Sequence, residues 1–202
     1  MDVILEIACG SITDALIAAT GADRLELCSA LEVGGLTPSL GTALEAHATL
    51  AVPFVAMVRP RAGDFVCSAA ELKVMERDAA LLLEAGASGI VFGCLTKDGD
   101  VDVSACRRLV AVAGEAETVF HRAFDETRAW SQALDALIDL GVSRVLTSGG
   151  APTALEGVAR IRALVERADG RIEILPGGGI REHTVEAVVV QTGCNQVHLG
   201  RR

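Results

Sequence analysis

Short apolar runs alternate with helical stretches along the whole chain. Four of the runs follow a glycine at the end of a helical stretch, in GADRLEL from Gly21, GASGIVFG from Gly86, GVSRVLTSG from Gly141 and GCNQVHLG from Gly193. Glycine just past a helix end supplies the left-handed cap, and a strand can then begin almost at once. Four more apolar runs have other lead-ins, at 3–8, 53–58, 118–121 and 172–175. The pattern therefore predicts eight strands.

The predicted elements alternate strictly. Strands are expected near 3–8, 24–28, 53–59, 89–94, 117–122, 144–148, 172–176 and 196–199, and helices near 11–20, 38–48, 68–85, 102–113, 130–140, 153–167 and 181–191. Strand–helix alternation with short loops predicts a parallel sheet, and eight repeats favour an α/β fold of the (βα)8 TIM-barrel type. We expect one domain over residues 1–202 that lacks the final helix, because the sequence ends just after the eighth strand. An open doubly wound sheet is the structural alternative.

Composition and charge exclude several classes of protein. The net charge is −9 and no basic run occurs, so we expect no nucleic-acid partner. No apolar run approaches the ~20 residues that span a bilayer, and no signal-peptide pattern precedes the first strand, so we expect no membrane partner. The six cysteines contain no CxxC pair, and we interpret them as free thiols of a cytoplasmic protein.

Polar residues occur where apolar ones normally fill a barrel. In this fold the active site lies at the carboxyl ends of the strands, and side chains alternate between barrel interior and helix layer. Alternation places eight residues inside: Glu6, Ala8, Glu26, Cys28, Arg59, His121, Thr147 and His198. Buried charge is costly unless it is paired, and Glu6 or Glu26 with Arg59 would provide that pairing. We favour a polar pocket for a small ligand, and a structural ion-pair network is the alternative.

The candidate catalytic residues are the inward ionisable groups together with one loop carboxylate: Glu6, Glu26, Arg59, His121, Asp125 and His198. His121, Arg122 and Asp125 could form an acid–base set in which the carboxylate orients the imidazole. Arg122 faces away from the interior by alternation and could anchor the loop instead.

Loops after three strands carry candidate anion-binding groups. Arg61, in the RPRAGDF string, could hold a carboxylate or phosphate by paired hydrogen bonds. Ser148 and Gly149 follow strand six, and Gly177, Gly178 and Gly179 follow strand seven, where backbone amides could approach an anion. The alternatives are that Arg61 and Asp64 tie the loop down and that the glycines allow tight loop closure.

Thiols at strand ends are candidate metal ligands, because soft thiolates favour Cu(I). Cys9, Cys28 and Cys94 lie at strand ends, and Cys67 follows the third loop. Cys106 and Cys194 lie on or after helices and are expected to be structural. For each thiol taken singly, the alternative is a small buried hydrophobe.

Several strings together resemble the CutC family, which is named for copper homeostasis. They are LEIAC, GADRLELC, GGLTPS, RPRAGDF, FHRAFD, LTSG and PGGGI, in this order from Leu5 to about His198. The resemblance implies a cytosolic (βα)8 barrel, a homo-oligomer, and Cu(I) binding through inward cysteines at the ends of strands one and two. The strand-two cysteine is present as Cys28. The strand-one position is Ala8, with a cysteine at Cys9 that alternation turns away from Cys28.

Three functions follow from these observations. The first is copper handling, with Cu(I) bound by Cys28, helped by Cys9 and His198. The second is an enzyme acting on a small anionic or sugar-like substrate, with Arg59 as the clamp, Glu26 or His121 as acid or base, and Gly177–Gly179 as an anion cradle. The third, an assembly scaffold, would leave the interior ionisable groups without a purpose.

Overall fold

The computed structural model of the chain describes residues 3–200. The strands are β1 (Ile4–Cys9), β2 (Arg24–Leu27), β3 (Phe54–Met57), β4 (Gly89–Phe92), β5 (Glu117–Phe120), β6 (Arg144–Thr147), β7 (Glu173–Pro176) and β8 (Gln196–Leu199). The helices are α1 (Ile12–Ala18), α2 (Leu40–Thr49), α3 (Ala69–Glu84), α4 (Val103–Ala113), α5 (Trp130–Asp139), α6 (Val158–Ala168) and α7 (Glu182–Thr192). All predicted elements are present. Two short 3-10 helices, Leu31–Val33 and Arg122–Glu126, were not predicted.

The strands form one parallel sheet in the order β7-β6-β5-β4-β3-β2-β1-β8. Consecutive strands are neighbours, which excludes the open doubly wound alternative. The two end strands meet through a bridge between Gly177 and His198 and through a hydrogen bond of 3.1 Å from Gln196 Nε2 to Glu173. The sheet is therefore a nearly closed TIM-type barrel. Within residues 3–200 the last helix is α7, which lies between β7 and β8.

Helix starts are fixed by capping side chains. Ser68 and Glu71 form a capping box at the start of α3, and Ser11 accepts a hydrogen bond from the Asp14 amide at the start of α1. The predicted helix near 153–167 begins only at Val158, because the preceding segment folds back against the end of β6. A Cβ atom at Gly157 would lie 1.9 Å from the Ser148 carbonyl oxygen, so this close approach requires glycine.

Two apolar layers surround the barrel wall. The larger fills the space between strands and helices and contains Cys9, whereas the smaller fills the interior with Cys28, Val55, Met57, Val91, Val119, Leu146 and Leu175. The outward direction of Cys9 agrees with the prediction from alternation. Since Leu146 is in the inner layer and Val145 in the outer one, Thr147 lies on the helix side, and its predicted inward position was wrong.

A chain of hydrogen-bonded polar side chains crosses the barrel interior near the amino ends of the strands. Arg144 contacts Glu117 at 3.2 Å and Glu173 at 2.8 Å. Gln196 bridges Glu173 and Arg24, because it donates to the first and accepts from the Arg24 guanidinium at 3.1 Å. These contacts give partners to the buried guanidinium groups of Arg144 and Arg24, whose charges would otherwise be costly to bury. We call the set Glu117, Arg144, Glu173, Gln196, Arg24, Glu6 and His198 the interior polar chain.

None of the helices in residues 3–200 combines the length and apolar character that a membrane span requires.

Candidate functional site

A cavity of about 690 Å³ opens at the carboxyl ends of the strands. It is lined by strand-end and loop residues, and its ionisable members are Glu26, Arg59, His121, Arg122, Asp125, Glu126, Arg181 and His198. The apolar side is formed mainly by Leu31, Met57, Phe65 and Leu146. Five of the six predicted catalytic residues therefore line one cavity, and the sixth, Glu6, lies behind His198.

The interior polar chain ends in this cavity. Glu6 is ion-paired with Arg24 and lies 2.8 Å from His198 Nδ1. The other imidazole nitrogen, His198 Nε2, lies 3.8 Å from Glu26 Oε2. Two carboxyl groups thus flank one buried imidazole, and only Glu6 hydrogen-bonds to it.

The environments of the two carboxyl groups push their pKa values apart. Burial alone would raise the pKa of Glu6, but the hydrogen bond and charge of His198 and the charge of Arg24 outweigh it and lower the pKa to about 2. Burial raises the pKa of Glu26, and the nearby Glu6 adds to the rise while His198 opposes it. Burial alone would lower the pKa of His198, but the bond to Glu6 and the two carboxylate charges raise it. Glu6 therefore stays ionised, whereas Glu26 is suited to proton transfer nearer neutral pH.

His121 is held as a neutral hydrogen-bond donor. Its Nδ1 accepts a hydrogen bond of 3.1 Å from the Ala123 amide, which assigns the ring proton to Nε2. Burial and the nearby Arg59 charge lower the pKa of His121 to about 3. The ring needs the space beside Gly93, where a Cβ atom would lie 2.4 Å from His121 Cε1. The predicted His121–Asp125 pairing does not form.

Arg59 is held by backbone carbonyls rather than by a glutamate. Its Nη1 donates to Val33 and Gly35, at 2.9 and 3.2 Å, and its Nη2 donates to Gly63 at 2.9 Å. The guanidinium also stacks 4.9 Å above the Phe65 ring. The predicted pairing of Arg59 with Glu6 or Glu26 was wrong, because Arg24 takes Glu6. No acidic side chain is hydrogen-bonded to Arg59 within residues 3–200, so its charge is available to a ligand.

Three buried side-chain polar atoms of the described residues make no hydrogen bond, and all three belong to residues of this cavity. They are Glu26 Oε1, Arg59 Nε and His121 Nε2. A buried polar atom without a partner costs about 1–3 kcal/mol. Two donors and one carboxyl oxygen are thus unpaired in side chains that line the cavity.

Asp125 lines the cavity, but its carboxylate is occupied. Oδ1 accepts from Thr147 Oγ1 and from the Gly150 amide at 3.0 Å, and Oδ2 accepts from Arg122 Nε at 2.8 Å and from Ser148 Oγ at 3.0 Å. The residue ties the loop after β6 to the 3-10 helix after β5. Arg122 anchors the same loop, as predicted, but it also lines the cavity, so the prediction that it faces away from the interior was wrong.

The predicted anion sites after β3 and β6 are already filled by side chains of the chain. All five N–H groups of Arg61 have partners, and its ionic partners are Asp64 at 2.8 Å and Glu71 at 2.5 Å. The Ser148 amide donates to Asp125, and the Gly149 amide donates to Thr147 Oγ1 at 2.8 Å. Arg61 therefore ties the loop down, and Asp125 occupies the position expected for an anion beside Ser148 and Gly149.

The glycines after β7 divide into two groups. The Gly177 amide donates to the Thr147 carbonyl at 2.9 Å and continues the sheet. Gly178 and Gly179, both with positive φ, line the cavity. Only this pair remains a candidate anion cradle.

The two predicted copper ligands do not converge. Cys28 belongs to the inner layer and Cys9 to the outer layer, so the wall of the barrel separates their side chains. Burial and the nearby Glu26 carboxyl raise the pKa of Cys28, and burial raises the pKa of Cys9 to about 12. Among residues 3–200, no group of three or more His, Cys, Asp and Glu side chains is arranged to hold a metal ion. A Cu(I) site made by Cys9 and Cys28 does not fit this geometry.

Sequence reasoning missed two residues that shape the site. Arg24 alternates in step with Glu26 and Cys28, so the same alternation would have placed Arg24 inside had it been extended to the start of β2. Phe65 contacts His121 at 4.9 Å between ring centres and carries the Arg59 guanidinium. Phe65 lies in an irregular loop, where no periodic pattern could have indicated its direction.

Comparison with known proteins extends over the whole chain. The sequence model of the CutC family matches residues 3–202. A family protein CutC from Treponema denticola is 49% identical over 196 residues, which cover 96% of this chain and 80% of the relative. The human copper homeostasis protein cutC homolog is 42% identical over 200 residues, covering 98% and 73% of the two chains. A CutC crystal structure from Streptococcus agalactiae superposes with a TM-score of 0.93 at 34% identity, covering 99% of each chain. The chain therefore belongs to the CutC family.

Proposed function

We propose that the cavity binds a small anionic or sugar-like molecule and carries out acid–base chemistry on it. The observation that carries the proposal is that three unpartnered buried atoms, Glu26 Oε1, Arg59 Nε and His121 Nε2, all belong to side chains that line one cavity. Native proteins rarely leave buried polar atoms unpaired, and a catalytic role is one of the recognised reasons for an exception.

Each of the three groups has a distinct part in this chemistry. Arg59 is a fixed cation that attracts a carboxylate or phosphate. The neutral His121 donates from Nε2 to an oxygen that becomes negative during the reaction, and it does so without giving up its proton at neutral pH. Glu26, with its raised pKa, removes or returns a proton on the bound molecule.

Glu6, His198 and Arg24 act behind this group as positioning residues. The bond from Glu6 fixes His198 in one orientation, and the charge on His198 sets how strongly Glu26 holds its proton. Proton transfer beside a carbonyl or hydroxyl group is the reaction class that fits one base, one neutral donor and one cation.

The test begins with a screen for compounds that bind to the cavity. Small carboxylates, hydroxy acids and sugar phosphates are screened by thermal unfolding, and any binder is incubated with the protein in heavy water. Proton NMR then follows exchange of its C–H hydrogens. We expect exchange with the native chain and none with Glu26→Gln, while Glu45→Gln, an exposed change on α2, behaves as the native chain. The proposal is wrong if no compound binds or if Glu26→Gln exchanges as fast as the native chain.

Copper handling is the second candidate function. The observation that favours it is the surroundings of Cys28. A Cβ atom built at Gly35 would lie 3.2 Å from the Cys28 sulfur and 3.4 Å from the Met57 methyl group, so a thiol and a thioether pack against the same point. Soft sulfur ligands favour Cu(I). The name of the human relative concerns copper homeostasis, which supports the same proposal. Anaerobic Cu(I) titration should show one equivalent fewer on Cys28→Ala than on the native chain. Equal uptake by the two proteins would remove Cys28 from consideration.

The cellular location and assembly expected from the sequence belong to the same proposal. We place the protein in the cytoplasm, because all six cysteines are free thiols, which is typical of a reducing compartment. The expected homo-oligomer stays a prediction that light scattering of the purified chain can check.

A further inference from the structure

Three sulfur atoms meet outside the cavity, on the helix side of the barrel wall. Cys67 Sγ lies 3.4 Å from Cys94 Sγ and 3.6 Å from Met75 Sδ. Cys67 ends the loop after β3, Met75 lies on α3, and Cys94 follows β4. We call Cys67, Met75 and Cys94 the sulfur cluster. Its members come from three different elements, so the fold itself brings the sulfurs together.

A small space adjoins the sulfur cluster. A cavity of about 10 Å³, close to the volume that holds one water molecule, is lined by Cys67 and Met75 together with Gly93 and Arg61. Cys94 and Met75 are buried, whereas Cys67 is only half-buried. A small ion could therefore reach the cluster from the side of Cys67 and find room beside it.

The donor set favours one kind of ligand. Thiolates and thioethers are soft donors that select Cu(I) over hard cations such as Mg²⁺ and Ca²⁺. A metal–thiolate bond of about 2.3 Å allows two sulfurs on one ion to lie up to about 4.6 Å apart, and both observed separations are shorter than that. Two thiolates on Cu(I) leave one negative charge. The contact with Cys94 and burial raise the pKa of the Cys67 thiol, so Cu(I) has to displace a proton that the free protein keeps.

We propose that Cys67, Cys94 and Met75 form a second, soft-metal site that binds one Cu(I) ion through two thiolates and one thioether. Binding replaces the two thiol protons by the metal, so two protons are released and no oxidant or reductant takes part. The site does not depend on Cys28, which lies on the opposite face of the strand wall.

A metal ion at this site would also affect the candidate active site, because one loop contributes residues to both. Cys67 follows Phe65 by two residues, and Phe65 contacts both His121 and Arg59 at 4.9 Å. An ion bound by Cys67 and Cys94 links this loop to the end of β4. Cu(I) loading should therefore slow amide hydrogen exchange in the loop over 62–68.

Thiol labelling of the native chain tests the site without any substitution. The full chain is treated anaerobically with Cu(I), supplied as its acetonitrile complex, and then alkylated, and mass spectrometry reports each cysteine. We expect one equivalent of Cu(I) to protect Cys67 selectively, while Cys194, buried elsewhere, is labelled on denaturation to the same extent with and without the metal. Equal labelling of Cys67 with and without Cu(I) would overturn the proposal.

A set of variants separates this site from one at Cys28. In a Cys28→Ala background, we expect one Cu(I) to be retained against a competing chelator, with only sulfur neighbours in X-ray absorption. Cys94→Ala added to that background should abolish retention, Met75→Leu should weaken it at least tenfold, and Cys194→Ala should leave it unchanged. Retention by Cys28→Ala/Cys94→Ala equal to that of Cys28→Ala would refute the site. Loss in Cys28→Ala alone would assign the metal to Cys28 instead.

Discussion

Glu6 and His198 face each other across the β1–β8 pair, with the carboxylate oxygen 2.8 Å from the imidazole Nδ1. The strand register makes them direct neighbours, so the backbone itself fixes their separation. Because Nδ1 is committed to Glu6, the second nitrogen of His198 is turned towards Glu26. This one hydrogen bond thus determines that Nε2 is the imidazole nitrogen on the cavity side of the ring.

Replacing Glu6 by glutamine should be strongly destabilising. The change removes the charge that pairs with Arg24 and His198, and breaking a buried pair costs about 3–5 kcal/mol. It should also lower the pKa of His198, because its hydrogen bond to a carboxylate is lost. Urea unfolding measures the first effect and NMR titration of the imidazole the second. Glu45→Gln on exposed α2 is the control, and a Glu6→Gln protein as stable as that control would contradict the prediction.

His121 should make the protein less stable in mild acid. In the unfolded chain the imidazole takes up a proton below its ordinary pKa of about 6.5, whereas the folded chain resists this down to a pKa of about 3. The stability from neutral His121 is therefore complete above pH 6.5 and is lost progressively as the pH falls towards 3. Between pH 7 and pH 5 the loss is about 2 kcal/mol.

A comparison of variants isolates the contribution of His121 to the pH dependence of the free energy of unfolding. His121→Gln should lose about 2 kcal/mol less than the native chain between pH 7 and pH 5, in urea unfolding at both values. His183→Gln, an exposed change on α7, should keep the native pH dependence. If His121→Gln and the native chain lose the same free energy, His121 is not held neutral by the fold.

Gly93→Ala should disturb the cavity by moving His121. The new Cβ atom would lie 2.4 Å from His121 Cε1 and 2.9 Å from the Ala123 Cβ atom, and neither neighbour can retreat freely inside the wall. Such overpacking costs about 1–3 kcal/mol, and a displaced imidazole should also weaken any ligand found for the cavity. Gly21→Ala is the matched control, since no atom lies within 4 Å of its added Cβ. Equal melting temperatures of the two variants would disprove the steric argument.

Asp125→Ala should loosen the loop after β6 rather than abolish proton transfer. The change leaves the amides of Ser148 and Gly150 and the Thr147 hydroxyl without their acceptor, which costs about 2–4 kcal/mol. Limited proteolysis should then cut near residues 148–157. Asp135→Ala, which breaks an exposed ion pair with Arg167, should cause a far smaller change. Native resistance to protease in Asp125→Ala would contradict this positional role.

The barrel could be predicted from the sequence because the patterns that indicate it are local and occur repeatedly along the chain. Glycine after each of four helices and the two-residue alternation along the strands depend only on near neighbours, so the elements and the directions of Glu6, Glu26 and His198 were predictable. Thr147 was assigned to the wrong side because Val145 and Leu146 are both apolar, so alternation within β6 does not show which of them faces the helices.

Partners of the charged groups were less predictable than their positions. Arg59 was expected to pair with a glutamate, yet its guanidinium lies among carbonyl groups of two irregular loops. The loop amides after β6 were expected to hold an external anion, yet Asp125 from the preceding connection fills that place. Such pairings depend on loop shape, which no periodic pattern along the chain encodes.

The interior polar chain has a consequence for how the barrel closes. Its members come from β1, β2, β5, β6, β7 and β8, and each contact requires two particular strands to stand in one particular register. Sliding any of these strands by two residues would keep its inward face but break at least one contact of a buried member of the set, which are Glu6, Arg24, Arg144, Gln196 and His198. An apolar interior would tolerate several such alignments. Here the polar contacts favour the register in which β7 and β8 meet with every buried member of the set partnered.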